Sequence, residues 1–272
     1  MSNAVKLKIA DRPGPAMEAR LHSTHITVRG LTKTFGETVL YDQFDLDLPR
    51  GKVTSFFGPN GCGKSTLINM ICGLVRPDAG EVLFDGKTRR ETVIGYVFQN
   101  YREALFPWKS AVENIKYPLR IERWSEPKMT RRVDELVEDF GIQFDLNRYP
   151  WEFSGGQQQL ISIMRALAPR PEVIFLDEPF SALDYEATLS IRDKLQDVFQ
   201  KSAVTTVMVS HDLEDALYIS DFVYLLTKRP TQVAEIVPFG AARPRSVETL
   251  SSAAFVATKA RSLEIFQREV RR

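Results

Sequence analysis

Apolar residues change their spacing several times along the chain, and each change marks a new element. Three β-type runs come first: "HITVRGLTKTF" from His25, "FDLDLP" with period-two alternation from Phe44, and "KVTSFF", separated by Gly, Pro and Asp. They predict an antiparallel β edge feeding one buried strand. After "GPNGCGKS" the spacing turns helical in "TLINMICGL", which "RPDAG" ends, and strands return at "EVLFD" and "TVIGYVFQ".

From Asn100 to about Ala168 the pattern is mostly helical, with helices predicted at "AVENIKYPLRI", "EPKMTRRVDELVEDFG" and "GGQQQLISIMRALA". Pro127 suits the first turn of the second. Then strands and helices alternate: "EVIFLD", "YEATLSIRDKLQDVFQ", "AVTTVMVS", "DLEDALYIS", "FVYLL". That order predicts an α/β fold with a parallel sheet covered on both faces. A last helix is expected in "TLSSAAFVATKARSLEIFQREVRR", with Phe255, Val256, Leu263, Phe266 and Val270 at helical spacing. Residues 1–22 read as a flexible extension, 23–240 as the main domain with a helical subdomain at about 100–168, and 241–272 as a C-terminal linker and helix. There is no internal repeat.

Composition narrows the partners. A chain of 272 residues with 43% hydrophobic content fills a core, while 36 basic against 35 acidic residues leave a net charge of +1. No long basic block is present to track a nucleic-acid backbone, so nucleic acid is not an expected partner. Cys62 and Cys72 lack metal or disulfide spacing and fit a reducing compartment. The stretch "MSNAVKLKIADRPGPAMEAR" has no continuous apolar segment and does not read as a secretory signal. No segment approaches the roughly 18 to 20 apolar residues of a membrane-spanning helix.

Candidate chemistry begins at "GPNGCGKST", Gly58 to Thr66, which fits GxxxxGK[ST] directly after an apolar strand and directly before a helix. Its glycines (Gly58, Gly61, Gly63) let backbone N–H groups close on phosphate oxygens, and the helix N-terminus adds positive potential. Lys64 supplies charge at the β- and γ-phosphates and Ser65 a hydroxyl for Mg²⁺. In "VIFLDEP", Asp177 and Glu178 follow a buried strand, at the sheet edge where α/β folds bind ligands. Alone, such a pair is also a helix N-cap or a solvated turn. Beside a phosphate loop, one carboxylate serves the metal and the other a water. His211 and Gln99 each follow an apolar strand, where either is also an ordinary surface residue. "FSGGQQQ" is a second anion grip, or simply a capped helix start.

Taken in order, these motifs resemble the ATP-binding subunit of ABC transporters, over about Ile26 to Leu226. Walker A is "GPNGCGKST", the Q-loop centres on Gln99, the signature is "FSGGQQQ", Walker B is "VIFLDEP", the D-loop is "SALD" and the switch histidine is His211. The resemblance implies a P-loop NTPase (RecA-like) core with a parallel sheet, an antiparallel β edge and a helical signature subdomain. It implies ATP and Mg²⁺ as cofactors. Phe35 stands where a tyrosine usually stacks on adenine. Gly58, Pro59, Asn60, Gly61, Cys62, Gly63, Lys64, Ser65 and Thr66 form the nucleotide loop, and Ser65, Gln99 and Asp177 surround the metal. Glu178 is the implied base for the attacking water, and His211, Lys64 and Gln99 complete the catalytic set. Two protomers would pair head to tail, so that Ser154, Gly155, Gly156 and Gln157, with Asp184, serve ATP bound by the partner. Phe153, Leu160 and Met164 depart from the family's leucine, arginine and alanine, which puts the packing of the signature helix in question.

The segment "NYREALFPWKSAVENI" and the tail "KRPTQVAEIVPFGAARPRS" are similar to importer ATPases of the nitrate, sulfonate and taurine type. This resemblance implies a permease in the membrane, met by the arm bearing Phe106, Pro107 and Trp108, and indirectly a solute-binding protein. It implies a peripheral location on the cytoplasmic face of the inner membrane. The competing class is a soluble ABC ATPase of DNA repair or iron–sulfur assembly. Repair members resemble one another in a long insertion between Walker A and signature, which is absent here; only the FPW segment speaks against iron–sulfur assembly.

Overall fold

The computed structural model describes residues 23–181 and 183–271, so the expected extension over 1–22 lies outside the described residues. Two sheets carry the fold. Strands β1 (Thr24–Phe35), β2 (Thr38–Pro49) and β4 (Ala79–Phe84) form an antiparallel sheet in the order β2-β1-β4. The main sheet has six strands in the order β5-β6-β7-β3-β8-β9. Its members are β3 (Val53–Phe57), β5 (Ile94–Val97), β6 (Val173–Asp177), β7 (Thr205–Val209), β8 (Phe222–Leu226) and β9 (Val233–Pro238). All pair in parallel except β9, which runs antiparallel to β8.

The first two β runs form the expected antiparallel edge as a sheet of their own with β4, and the third run is β3 inside the main sheet. The antiparallel edge of the main sheet is β9, inside the stretch read as a tail. Its residues are mostly half-buried, as suits an edge strand, so it lacks the unbroken apolar run that identifies β6, β7 and β8.

The longer helices fall where the spacing predicts them, and two short ones, at Tyr101–Ala104 and Val247–Ser251, are not singled out by it. They are α1 (Lys64–Ile71), the single turn α2 (Tyr101–Ala104), α3 (Ala111–Ile121), α4 (Glu126–Phe140), α5 (Gly155–Leu167), α6 (Tyr185–Ser202), α7 (Leu213–Ile219), α8 (Val247–Ser251) and α9 (Ala253–Arg271). Pro127 lies in the first turn of α4, and Gly141 in the left-handed conformation ends it. Arg132 on α4 donates from Nε and Nη2 to the carbonyls of Ala168 and Leu167, tying α4 to the end of α5.

The parallel strands are buried on both faces, and their side chains alternate between two cores. Val173 and Phe175 of β6 join α1 and the antiparallel sheet, whereas Ile174 and Leu176 join the helices of the other face. The departures near the signature fill that second core: Phe153, Leu160 and Met164 are all buried, and Phe153 packs on Phe144 with ring centroids 5.2 Å apart. The C-terminal helix α9 forms as expected and turns Phe255 and, half-buried, Phe266 and Val270 inward, with two of the expected positions left out. Phe255, Ser262, Ile265 and Glu269 are buried, while Val256 is 54% and Leu263 37% exposed. Among the described residues no helix is long and apolar enough to cross a membrane.

Candidate functional site

Strand β3 is sealed along its length and delivers the chain to the loop Gly58–Gly63 and then to α1. Gly63 has φ +100°, and a Cβ there would stand 2.9 Å from the side chain of Leu40. Only glycine fits. Having no side chain, Gly63 cannot cap α1, and no acidic residue lies in the first turn. The first N–H groups of the helix are thus left without a side-chain acceptor, as an anion site requires. Lys64 is buried, and its Nζ donates to the carbonyls of Gly58 (2.9 Å) and Pro59 (3.1 Å). Cys62 turns into the core, and burial pushes its thiol up, as it pushes that of Cys72 to about 11. Neither thiol is poised for chemistry.

A hollow opens over this loop. Asn60, Gly61, Gly63, Lys64, Ser65 and Thr66 form its floor, Phe35, Thr38 and Leu40 one wall, and Glu178 and Arg229 other parts of its rim. Phe35 is 53% exposed, so ring surface is open to stacking, while Lys33 Nζ lies over the ring, 5.1 Å from its centroid. Gly58, Pro59 and Cys62 do not line this hollow.

The acidic pair splits in two directions at the end of β6. Asp177 is 6% exposed; Ser65 Oγ donates to its Oδ1 at 2.8 Å, and Tyr96 Oη stands 3.3 Å from Oδ2. Burial raises the Asp177 carboxyl above its ordinary range, against the pull of the Ser65 hydroxyl. A hydroxyl and a carboxylate beside a phosphate pocket fit a hard divalent cation that keeps most of its waters. Glu178 has φ +48°, a conformation non-glycine residues seldom adopt outside functional turns. Its N–H donates to the Val209 carbonyl at 3.0 Å, which braces the turn against β7. One oxygen, Glu178 Oε2, accepts from Gln99 Nε2 at 2.8 Å and lies 3.2 Å from His211 Nδ1. Gln99 is therefore turned to Glu178, and no hydrogen bond joins it to Ser65 or Asp177 among the described residues.

The signature residues stand apart. Ser154 caps α5 in a reciprocal box: its Oγ accepts from Gln157 N at 3.4 Å, and Gln157 Oε1 accepts from Ser154 N at 3.0 Å. Ser154 is exposed and Gly155, Gly156 and Gln157 half-buried, yet none of them lines the hollow of their own chain. Asp184 caps α6 through Ala187 N at 2.8 Å and is also outside it. The buried Gln159 links the two regions, donating to the Pro179 carbonyl just after Glu178 at 2.9 Å.

Three features escaped sequence reasoning. Arg229 reaches the rim of the hollow from the β8–β9 turn. Tyr149 and Trp151 stack at 4.8 Å, and Trp151 is 65% exposed. Backbone bonds from Ala111 to Arg148 and from Val112 to Leu146 bring their segment beside the FPW arm. There Phe106 packs on Tyr117, and Trp108 is 70% exposed.

Known proteins carry the same plan. The family model described as ABC transporter matches residues 41–181. A sulfate/thiosulfate import ATP-binding protein, CysA of Burkholderia mallei, is 40% identical over 210 residues, covering 74% of this chain and 59% of its own length. The chain thus spans about three-fifths of that relative. The ABC transporter ATP-binding protein YtlC of Bacillus subtilis is 35% identical over 242 residues, covering 85% of this chain and 92% of its own. Among solved structures, the ATP-binding cassette MJ0796, a dimer bound to ADP and phosphate after hydrolysis, superposes with a TM-score of 0.69 at 30% identity, covering 80% of this chain and all of that one. CbiO1 of Clostridium perfringens, part of the transporter complex cbiONQ, gives the same TM-score at 26% identity, over 79% of this chain and 87% of its own.

Proposed function

The chain belongs to the ABC transporter family of ATP-binding proteins, and from that premise we propose that it is the ATP-hydrolysing subunit of an importer. The observation that carries this reading is the convergence of Gln99 and His211 on one oxygen of Glu178, at the rim of the phosphate hollow. Phe35 stacks on the adenine. The loop N–H groups and Lys64 take the phosphates, which requires Lys64 to exchange the carbonyls of Gly58 and Pro59 for phosphate oxygens. Ser65 and Asp177 would hold Mg²⁺, which neutralises charge on the phosphates when bound. Glu178 takes the proton of the attacking water, and His211 leaves Glu178 to meet the γ-phosphate.

Ser154, Gly155, Gly156 and Gln157, with Asp184, act on ATP held by a second copy of the chain, which supplies its own signature in return. Their exclusion from their own hollow supports this head-to-tail pairing. The exposed aromatics Trp108, Tyr149 and Trp151 form a face for a membrane permease, so the subunit works from the cytoplasmic face of the inner membrane. A solute-binding protein would deliver cargo to that permease. The relatives' names point to sulfate and thiosulfate, and the FPW segment and tail to nitrate, sulfonate and taurine. A small solute bearing an oxyanion group satisfies both.

Size-exclusion chromatography of Glu178→Gln with ATP tests the enzymatic half. We expect ATP to be bound but not turned over, and the chain to elute as a dimer. Undiminished turnover would remove Glu178 from its role. Isolation of the tagged chain from gently solubilised native membranes tests the transport half: a polytopic membrane protein in near-equal amount is expected, and purely soluble partners would favour an ATPase outside transport.

A further inference from the structure

The turn between β8 and β9 lies against the outer side of the phosphate loop, and the roles assigned above leave it unused. Arg229 Nε donates to the Gly61 carbonyl at 2.6 Å, and the Thr231 hydroxyl donates to the next carbonyl, Cys62, at 2.5 Å. Tyr41 Oη donates to the third, Gly63, at 3.0 Å. Thr231 is fully buried, and its own N–H is anchored on the Leu40 carbonyl at 2.9 Å. Across a trans peptide the C=O of one residue and the N–H of the next point in opposite directions. Holding the Cys62 and Gly63 carbonyls outward therefore aims the N–H groups of Gly63 and Lys64 away from the turn, towards the phosphate side.

Arg229 does more than brace the loop. It is exposed, it shares the rim of the hollow with Glu178, and among the described residues no carboxylate forms an ion pair with it. Its guanidinium reaches within 2.7 Å of where a Cβ on Gly61 would stand, so the absence of that Cβ gives it room. Bonding through Nε leaves the terminal N–H groups of the fork free for other acceptors. A cation fixed at the mouth of an anion pocket, with no acid in an ion pair with it, suits an incoming polyphosphate.

We propose that Arg229 is a nucleotide-binding residue, adding a second cation beside Lys64 for the phosphates while its Nε holds the loop open. The inference rests on the ATP-binding reading above. Its test is the affinity of the full-length chain for ATP and ADP by titration calorimetry, with adenosine as competitor, in wild type, Arg229→Lys and Arg229→Gln. Arg229→Gln is expected to weaken ATP and ADP about tenfold, the loss of one charge-assisted contact, without moving adenosine. Arg229→Lys is expected to recover most of that loss. An unchanged ATP affinity in Arg229→Gln, an equal loss in both variants, or a loss shared by adenosine would each overturn the assignment. If wild type binds no ATP at all, the functional reading falls with it; normal wild type and normal Arg229→Gln together sink the inference alone.

Discussion

Gly63 is where a single methyl group decides whether the phosphate loop can form. Placing alanine there asks an L-residue to hold φ +100° against Leu40, so Gly63→Ala should cost roughly 1–3 kcal/mol of strain or reshape the loop. Fluorescent ATP-analogue binding should be lost while the far-ultraviolet spectrum stays native. His25 is a different kind of residue effect. It is buried beneath the junction of the two sheets, with Nδ1 2.6 Å from Thr205 Oγ1, and faces Asp85, Arg50 and Glu172. Burial and the Arg50 charge lower its pKa despite the two carboxylates. The folded chain then binds this proton more weakly than the unfolded one, whose histidine titrates near 6.5. Stability should be unaffected above that pH and fall as pH drops through it. Urea midpoints from pH 8 to pH 5 should decline more for wild type than for His25→Gln. At this scale the placement of Asp177 and Glu178 beside the loop Gly58–Gly63 was legible, because their identities and spacing after apolar strands put them at one sheet edge. Arg229 was not, since only the β8–β9 pairing brings it across 168 residues to Gly61.

Elements join through groups whose partners lie far off in sequence, and Arg245 is the clearest case. It is 2% exposed, and its guanidinium donates to the carbonyls of Leu217, Tyr218 and Ser220 at the end of α7, and of Phe239 after β9. Burial lowers its pKa to about 10, which leaves it charged at neutral pH, where it suits the negative end of a helix. Gln196 of α6 bonds both its N–H and its carbonyl. Arg245→Met strands these acceptors and should destabilise the chain by on the order of 3 kcal/mol in urea titration. The helices of the arm were legible from their period and caps. The inward face of α9 was legible only in part: Phe255, Phe266 and Val270 face inward as their spacing suggests, but the helix also buries Ser262 and Glu269 and exposes Val256 and Leu263, a choice made by the core it meets.

At the scale of the whole molecule, the parallel sheet could be foreseen from alternating strands and helices and the antiparallel edge from the early β runs, whereas the pairing of β4 with β1 depends on longer-range register. The exposed aromatic face is also a property of assembly, since the segments bearing Trp108 and Trp151 are joined through the backbone bonds of Ala111 to Arg148 and Val112 to Leu146. Both tryptophans are open to water, so acrylamide should quench the free chain strongly. Quenching should drop when the chain docks on permease-containing vesicles; unchanged quenching on bound protein would rule this face out of the contact.

The signature of each chain lies outside that chain's own phosphate hollow, and this has a consequence for heredity. If each site is completed by the neighbouring copy, a cell carrying one normal gene and one encoding a damaged signature makes mixed pairs as about half of all pairs. In those pairs the defect lands on the healthy copy's nucleotide, while the damaged copy's nucleotide is served by a sound partner. Such an allele should be partly dominant in uptake assays, and an allele damaged in Gly63 should restore part of the loss when the two are expressed together, because both defects then fall on one site and leave the other whole.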